Sequence, residues 1–188
     1  MEAAVTPKRA DAVRNRERVI AAARAVFAER GLEASVPEVA ARAGVGKATV
    51  YRSFPSKEHL IAAVAIDRLE DFERRARELL DEEPDAGTAL NELLSEKAVE
   101  HCADRTLASA LQASAASDLL EDARRKMWAA VDALIDRAKE QGTMRPTANA
   151  RDLRILWGGA TRMLTADDIG DPDEWRRYAR LVLDALRP

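Results

Sequence analysis

Between residues 43 and 58 the chain reads AGVGKATVYRSFPSKE. Three cations stand there, Lys47, Arg52 and Lys57, with two aromatics, Tyr51 and Phe54, and one acid, Glu58. Groups of this kind hold anions rather than break bonds. Lys47 and Arg52 are able to donate to base edges or to phosphates, and Ala48 is small enough for close approach or for a thymine methyl. Thr49 and Tyr51 offer hydroxyls to phosphate oxygens, and most such contacts position a protein rather than read sequence. Lys57 adds a charge where a new helix leaves backbone N–H groups free for an anion.

The charge distribution agrees. The 188 residues have a formal net charge of −3, but residues 1–60 hold 11 Lys and Arg against 7 Asp and Glu. The remaining 128 hold 19 against 26, so a basic head precedes an acidic body. That asymmetry implies that the head meets a polyanion. Other chemistries have little to stand on. His59 and His101 are the only histidines, and neither a phosphate-binding glycine loop nor a Ser/His/Asp set is present. His101 and Cys102 are adjacent, which on a helix aims them about 100° apart, so no metal is expected there. The acidic pairs Glu82-Glu83 and Asp167-Asp168 read as turn and solvated-face residues. No enzyme and no cofactor are expected. Cys102 is the single cysteine, so no intrachain disulfide is available. The N-terminal segment lacks the apolar stretch of a secretory leader, and no apolar run is long enough for a bilayer. A cytoplasmic protein with no membrane partner is the expectation.

The elements that must position these groups are helical. Apolar residues make up 47% and aromatics 4%, with few glycines and prolines, a helix-favouring balance. Residues 1–12 read as a loose basic arm. Val19, Ile20, Ala23, Val26 and Phe27 form one helical stripe closed by Gly31. Ser35 reads as an N-cap with Glu38 three residues on and Pro37 in the first turn. That short helix ends at Gly44. Another runs from Gly46 or Lys47 to Ser53, where Pro55 prevents continuation. Ser56 starts a helix to about Leu80, followed by segments at 86–103, 105–114 and 118–141, one capped by Asn149, and one opened by Asp171-Pro172. The fold class is all-α with about nine helices. Its division is an arm at 1–12, a DNA-binding head at 13–56 and a helical body at 57–188.

Three helices with AGVG between the second and third make a helix-turn-helix pattern. Gly44 supplies the tight turn, and Val39, Ala40, Val45, Val50 and Phe54 close a small core against Val26 and Phe27. The outward residues of the third helix suit the DNA major groove. The arm residues Lys8, Arg9, Arg14, Arg16 and Arg18 are candidates for phosphates or the minor groove, or for a solvated tail.

The segments RERVIAAARAVFAERG, ASVPEVAARAG and AGVGKATVYRSFPSKEHL, in that order, resemble the DNA-binding domain of the TetR family of bacterial transcriptional regulators. The resemblance covers roughly residues 14–62. It implies that Thr49, Tyr51 and Lys57 hold phosphates while Lys47, Ala48 and Arg52 face bases; Ser35 and Gly46, at helix starts, complete the candidate DNA-binding set. The chain departs from the family pattern at Gly46, Ala48 and Ser53, where the operator preference would be encoded.

The resemblance also implies a C-terminal body that dimerises and encloses a ligand. Gly158 and Gly159 inside a helix cost about 1 kcal/mol each relative to alanine, which close approach of another helix would offset. Leu156, Gly158, Gly159, Met163, Trp175, Tyr178, Leu181 and Val182 are therefore the expected dimer face, as a four-helix bundle. A small apolar effector is expected in a mostly apolar cavity lined by Phe72, Leu94, Ala98, His101, Cys102, Leu107, Leu111, Met127, Val131 and Trp157. The expected function is a dimeric repressor, released by an effector from an inverted-repeat DNA operator. The alternatives are a constitutive or activating regulator without an effector, and an all-α enzyme with a helical-hairpin head.

Overall fold

The computed structural model describes residues 7–104 and 118–188. Eight helices lie among them: α1 (Pro7–Arg30), α2 (Val36–Ala43), α3 (Lys47–Ser53), α4 (Lys57–Glu82), α5 (Ala86–Ala103), α6 (Asp118–Glu140), α7 (Ala150–Ala166) and α8 (Pro172–Asp184). No strand occurs among the described residues, as the all-α reading requires. The expected segment at 105–114, with Leu107 and Leu111, lies outside the described residues.

Local chemistry explains the boundaries. α1 begins at Pro7, inside the segment expected to be a loose arm. Proline is at ease in a first turn, because its missing N–H has no intrahelical partner there, and the alanines that follow favour helix. Gly44 closes α2 at φ +65°, and its N–H bonds the Ala40 and Ala41 carbonyls. Asp85, Asn149 and Asp171 each accept an N–H from the first turn of the helix they precede, at 2.6, 3.1 and 2.9 Å.

The described residues divide into two compact units, with boundaries within α4, between Asp67 and Arg68, and within α6, between Leu120 and Glu121. The first holds α1 to α3 and the starts of α4 and α6. Val19, Ala23, Phe27, Val39, Val50, Phe54, Leu60 and Val64 are buried in it, and full burial of a side chain such as Phe27 or Leu60 contributes roughly 1.5–3 kcal/mol. Val45, in the turn, is half-buried. Ion pairs between helices brace this unit: Arg24 to Asp67 at 2.9 Å, Arg42 to Glu29 at 2.9 Å, and Arg30 to Glu38.

In the second unit α5 packs along α8, with α7 against both. Leu90, Leu93, Leu94, Leu134, Ile135, Leu153, Trp175 and Leu186 form the centre. The Trp175 indole N–H is satisfied there by the Ile169 carbonyl at 2.9 Å. Arginines tie the helices together. Arg75 on α4 reaches Glu92 and Glu96 on α5 at 2.5 and 2.8 Å. Arg68 pairs with Asp104 where both side chains are about nine-tenths buried. Arg137 on α6 donates to the Leu80 and Glu83 carbonyls at the end of α4. No helix among the described residues is long and apolar enough to cross a membrane.

Candidate nucleic-acid interface

α3 is seven residues long, and of these only Val50 is fully buried. Gly46, Lys47, Ala48, Tyr51 and Arg52 are exposed, Thr49 is half-buried, and Lys57 at the start of α4 is half-buried. The expected DNA-binding residues on α3 therefore share one outward strip. Gly46 caps the helix with its carbonyl alone, accepting from the Thr49 N–H at 2.9 Å and the Val50 N–H at 3.3 Å. The Lys47 ammonium lies 5.6 Å from the centre of the Tyr51 ring, an i,i+4 pair that aims both side chains along the strip. Among the described residues no acid pairs with Lys47 or Arg52.

Ser35 is exposed but already engaged. Its N–H and its hydroxyl both donate to the Glu38 carboxylate at 2.7 Å. Those bonds, the hydroxyl's first, and then Arg30 hold the Glu38 carboxyl down at about 2. At the next helix start, the Ser56 hydroxyl sits 2.9 Å from His59 Nδ1. Hydrogen bonding to Ser56, then to its own backbone N–H, keeps the Glu58 carboxyl below the usual range.

Of the basic residues expected to reach from the arm, Arg16 and Arg18 lie against the head, Arg14 stays exposed on α1, and the side chains of Lys8 and Arg9 lie outside the described ones. Arg14 pairs with Asp11. Arg16 lies 5.2 Å from the Phe54 ring centre, and Arg18 donates to the Ala43 carbonyl at 2.8 Å. The helical start of α1 allows this, since it aims Arg16 and Arg18 at Phe54 and Ala43.

In the second unit, Leu94, Ala98, Met127, Val131 and Trp157 are buried, and Phe72, His101 and Cys102 are partly buried. The His101 ring meets Trp157 edge-on at 6.0 Å and stacks on Trp175 at 6.3 Å. Its Nδ1–H donates to the Lys97 carbonyl at 2.8 Å. Burial, above all, and the nearby Arg68 and Lys97 charges lower its pKa, so the ring is neutral at pH 7. The region is less apolar than expected. Lys97 is buried, with its ammonium 2.9 Å from Glu100 and 5.4 Å from the Phe72 ring centre. Arg68 on α4 and Asp104 at the α5 C-cap form a further pair with side chains about nine-tenths buried. Sequence reading missed these three, because Lys97 and Glu100 look like any solvated i,i+3 pair. Two surface grooves of about 600 and 670 Å³ run beside α5 and contain none of the expected ligand residues.

The expected dimer face separates into two sets. Leu156, Gly159, Met163 and Leu181 are exposed, and Gly158 and Tyr178 are partly so. Trp175 and Val182 are buried in the chain's own core, so neither offers a surface to a partner. Helix periodicity explains the correction: on α8 the inward line runs through Trp175, Ala179 and Val182. Ile155, 59% exposed, was missed although it stands four residues before Gly159 and eight before Met163.

A short helix held across another by a tight turn, with a cationic and hydroxyl strip facing outward, is the geometry of a helix-turn-helix DNA-binding protein. The family model for "Bacterial regulatory proteins, tetR family" matches residues 19–64, and that for "Transcriptional regulator SbtR-like, C-terminal domain" matches residues 85–188. The chain belongs to the TetR family of DNA-binding transcriptional regulators. A TetR transcription regulatory protein from Mycobacterium vanbaalenii is 34% identical, with 97% of this chain and 100% of that chain covered and a TM-score of 0.72. A TetR transcriptional regulator from Streptomyces coelicolor is 32% identical over 92% of this chain and 98% of that one, again with a TM-score of 0.72. The regulator FadR from Bacillus subtilis, in complex with stearoyl-CoA, shares the fold at 20% identity, with 89% and 95% covered and a TM-score of 0.68. No curated protein matches.

Proposed function

We propose that the chain acts as a homodimeric repressor that holds an inverted-repeat operator and leaves it when a small molecule enters the second unit. One observation carries the dimer. Ile155, Leu156, Met163 and Leu181 are large apolar side chains left in water on α7 and α8. Gly158 and Gly159 lie in the same stretch, and a Cβ at either would meet nothing among the described residues within 4 Å. No packing among the described residues therefore asks for glycine, whereas a helix from a second copy would use the room.

Two identical heads then require two half-sites about one helical turn apart, roughly 34 Å. Lys47, Ala48 and Arg52 face bases in this reading, and Gly46, Thr49, Tyr51 and Lys57 address the backbone, with Ser35 holding the start of α2. The effector site is proposed around Phe72, Leu94, Ala98, His101, Cys102, Met127, Val131 and Trp157, and a ligand that favours one head spacing over another shifts operator affinity. The Bacillus subtilis FadR, of the same fold, is in complex with stearoyl-CoA, which supports a ligand-binding reading. Such a regulator works in the cytoplasm and performs no catalysis.

The test combines mass and binding. Leu156→Asp is expected to sediment as a monomer at micromolar concentration and to lose operator retardation, with its helicity retained. A wild-type chain that already sediments as a monomer would sink the reading. For the sign of regulation, a reporter placed behind the bound fragment is expected to rise when this gene is deleted.

A further inference from the structure

We infer that Arg18 and Arg16 of α1 are positioning residues for DNA reading, fixing the orientation of α3 without touching DNA. The inference rests on the exposed strip of α3 being the DNA-reading surface. α3 is too short to sustain itself and contributes one fully buried side chain, Val50. Its orientation must come from what grips its two ends. On the N-terminal side lies the turn from Ala43 to Gly46. The Ala43 carbonyl is among those that α2 leaves without an intrahelical partner, and Arg18 Nη2 donates to it at 2.8 Å. A cationic donor is also favoured at that negative end of the helix. The guanidinium is close against the turn: a Cβ on Gly44 would sit 3.3 Å from Arg18 Nη2. On the C-terminal side lies Phe54, the C-cap of α3, whose N–H bonds the Val50 carbonyl at 2.8 Å. The Arg16 guanidinium covers its ring at 5.2 Å. Two residues of helix are about 200° of rotation. Arg16 and Arg18 thus flank the inward line of Val19, Ala23 and Val26 on opposite sides, and each reaches one end of α3.

The consequence is specific. Hydrogen bonds to base edges fail with small misplacements, whereas Coulomb attraction to phosphates falls slowly with distance. Loosening α3 therefore removes discrimination between sequences before it removes attraction to DNA.

The experiment uses the full chain. Wild type first selects a duplex from a random-sequence library; failure to select any would defeat the DNA-reading surface itself, separately from this inference. Wild type, Arg18→Met and Arg18→Lys are then titrated with the selected duplex and a scrambled duplex over a range of salt. For Arg18→Met the ratio of scrambled to selected Kd is expected to fall about tenfold. Scrambled-duplex affinity stays within about twofold, and the salt slope is unchanged. Arg18→Lys retains the charge without the planar fork and is expected to lose discrimination too. A parallel loss on both duplexes with a slope smaller by about one, restored by lysine, would show a direct phosphate contact and overturn the inference. An unchanged ratio overturns it as well. Should Arg18→Met lose its helicity, Arg18→Lys decides: an unchanged ratio there counts against positioning. Arg16→Leu is expected to act in the same direction by about threefold, because a ring-face contact is weaker than the clamp.

Discussion

The two units treat their cations differently. On α3, Lys47 and Arg52 stand in water, and no acid among the described residues pairs with them. In the second unit Arg68, Arg75 and Lys97 are turned onto carboxylates, and Arg137 onto carbonyls. The first unit is not uniformly open either. Arg24, Arg30 and Arg42 bridge to Asp67, Glu38 and Glu29, and Arg18 holds a carbonyl. The proposed interface is therefore a matter of acids withheld from one short strip, rather than of the average charge of a domain. Basic residues outside that strip hold the frame that keeps it in place.

The sharpest way to test this contrast is to remove one inward cation. Arg68→Met leaves the Asp104 carboxylate buried without its guanidinium, and breaking such a pair costs about 3 kcal/mol or more. Urea unfolding is expected to show that loss. The double variant Arg68→Met/Asp104→Leu should recover most of it, because well-packed apolar groups replace buried pairs at little cost. The salt slope of DNA binding by the folded fraction stays that of wild type. A loss below about 1 kcal/mol would mean the pair behaves as a surface pair, and the contrast would fail.

An outward cation should do the reverse. Arg52→Ala is expected to weaken binding to a selected duplex about tenfold or more, in line with roughly 1–3 kcal/mol for a base-directed arginine. Its unfolding free energy should stay within about 0.5 kcal/mol of wild type, as for a surface substitution. Lys57→Ala should have a smaller effect on affinity, shared between selected and scrambled duplexes, with a salt slope lower by about one. A stability loss in Arg52→Ala comparable to that of Arg68→Met would erase the distinction between the units.

Local signals explain which parts were legible in the sequence. Gly44, Pro37 and the Val19 to Phe27 stripe are short-range and unambiguous, so the head could be drawn from its residues. Asn149 and the Asp171-Pro172 pair marked two body helices for the same reason. What was not legible depends on which side of a helix the rest of the chain covers. Arg16 and Arg18 look like any basic tail until α1 is seen to start at Pro7 and aim them at Phe54 and Ala43. Lys97 looks solvated until Phe72 covers it. Trp175 and Leu181 both belong to one amphipathic helix, yet only Leu181 faces out. Spacing placed these residues on helices, but partners distant in sequence decided their exposure.

The smallest expected effect concerns a carboxylate of the head that serves structure alone. Glu38 is held down to about 2 by Ser35 and then Arg30, against 4.5 for an ordinary glutamate. Between those two values the unfolded chain binds more protons than the folded one, so stability rises with pH across that window. The contribution is complete above pH 4.5 and is lost as pH falls through 2. Glu38→Gln is therefore expected to melt lower than wild type at pH 7, with the gap narrowing below pH 4.5 and closing near pH 2. Thermal melts at several pH values read this directly. A gap independent of pH would place the effect in packing rather than charge. A gap accompanied by weaker binding to scrambled DNA at pH 7 would mean that Ser35 and Arg30, released from Glu38, no longer present α2 as before. The boundary between frame and interface would then run through Ser35 rather than beside it.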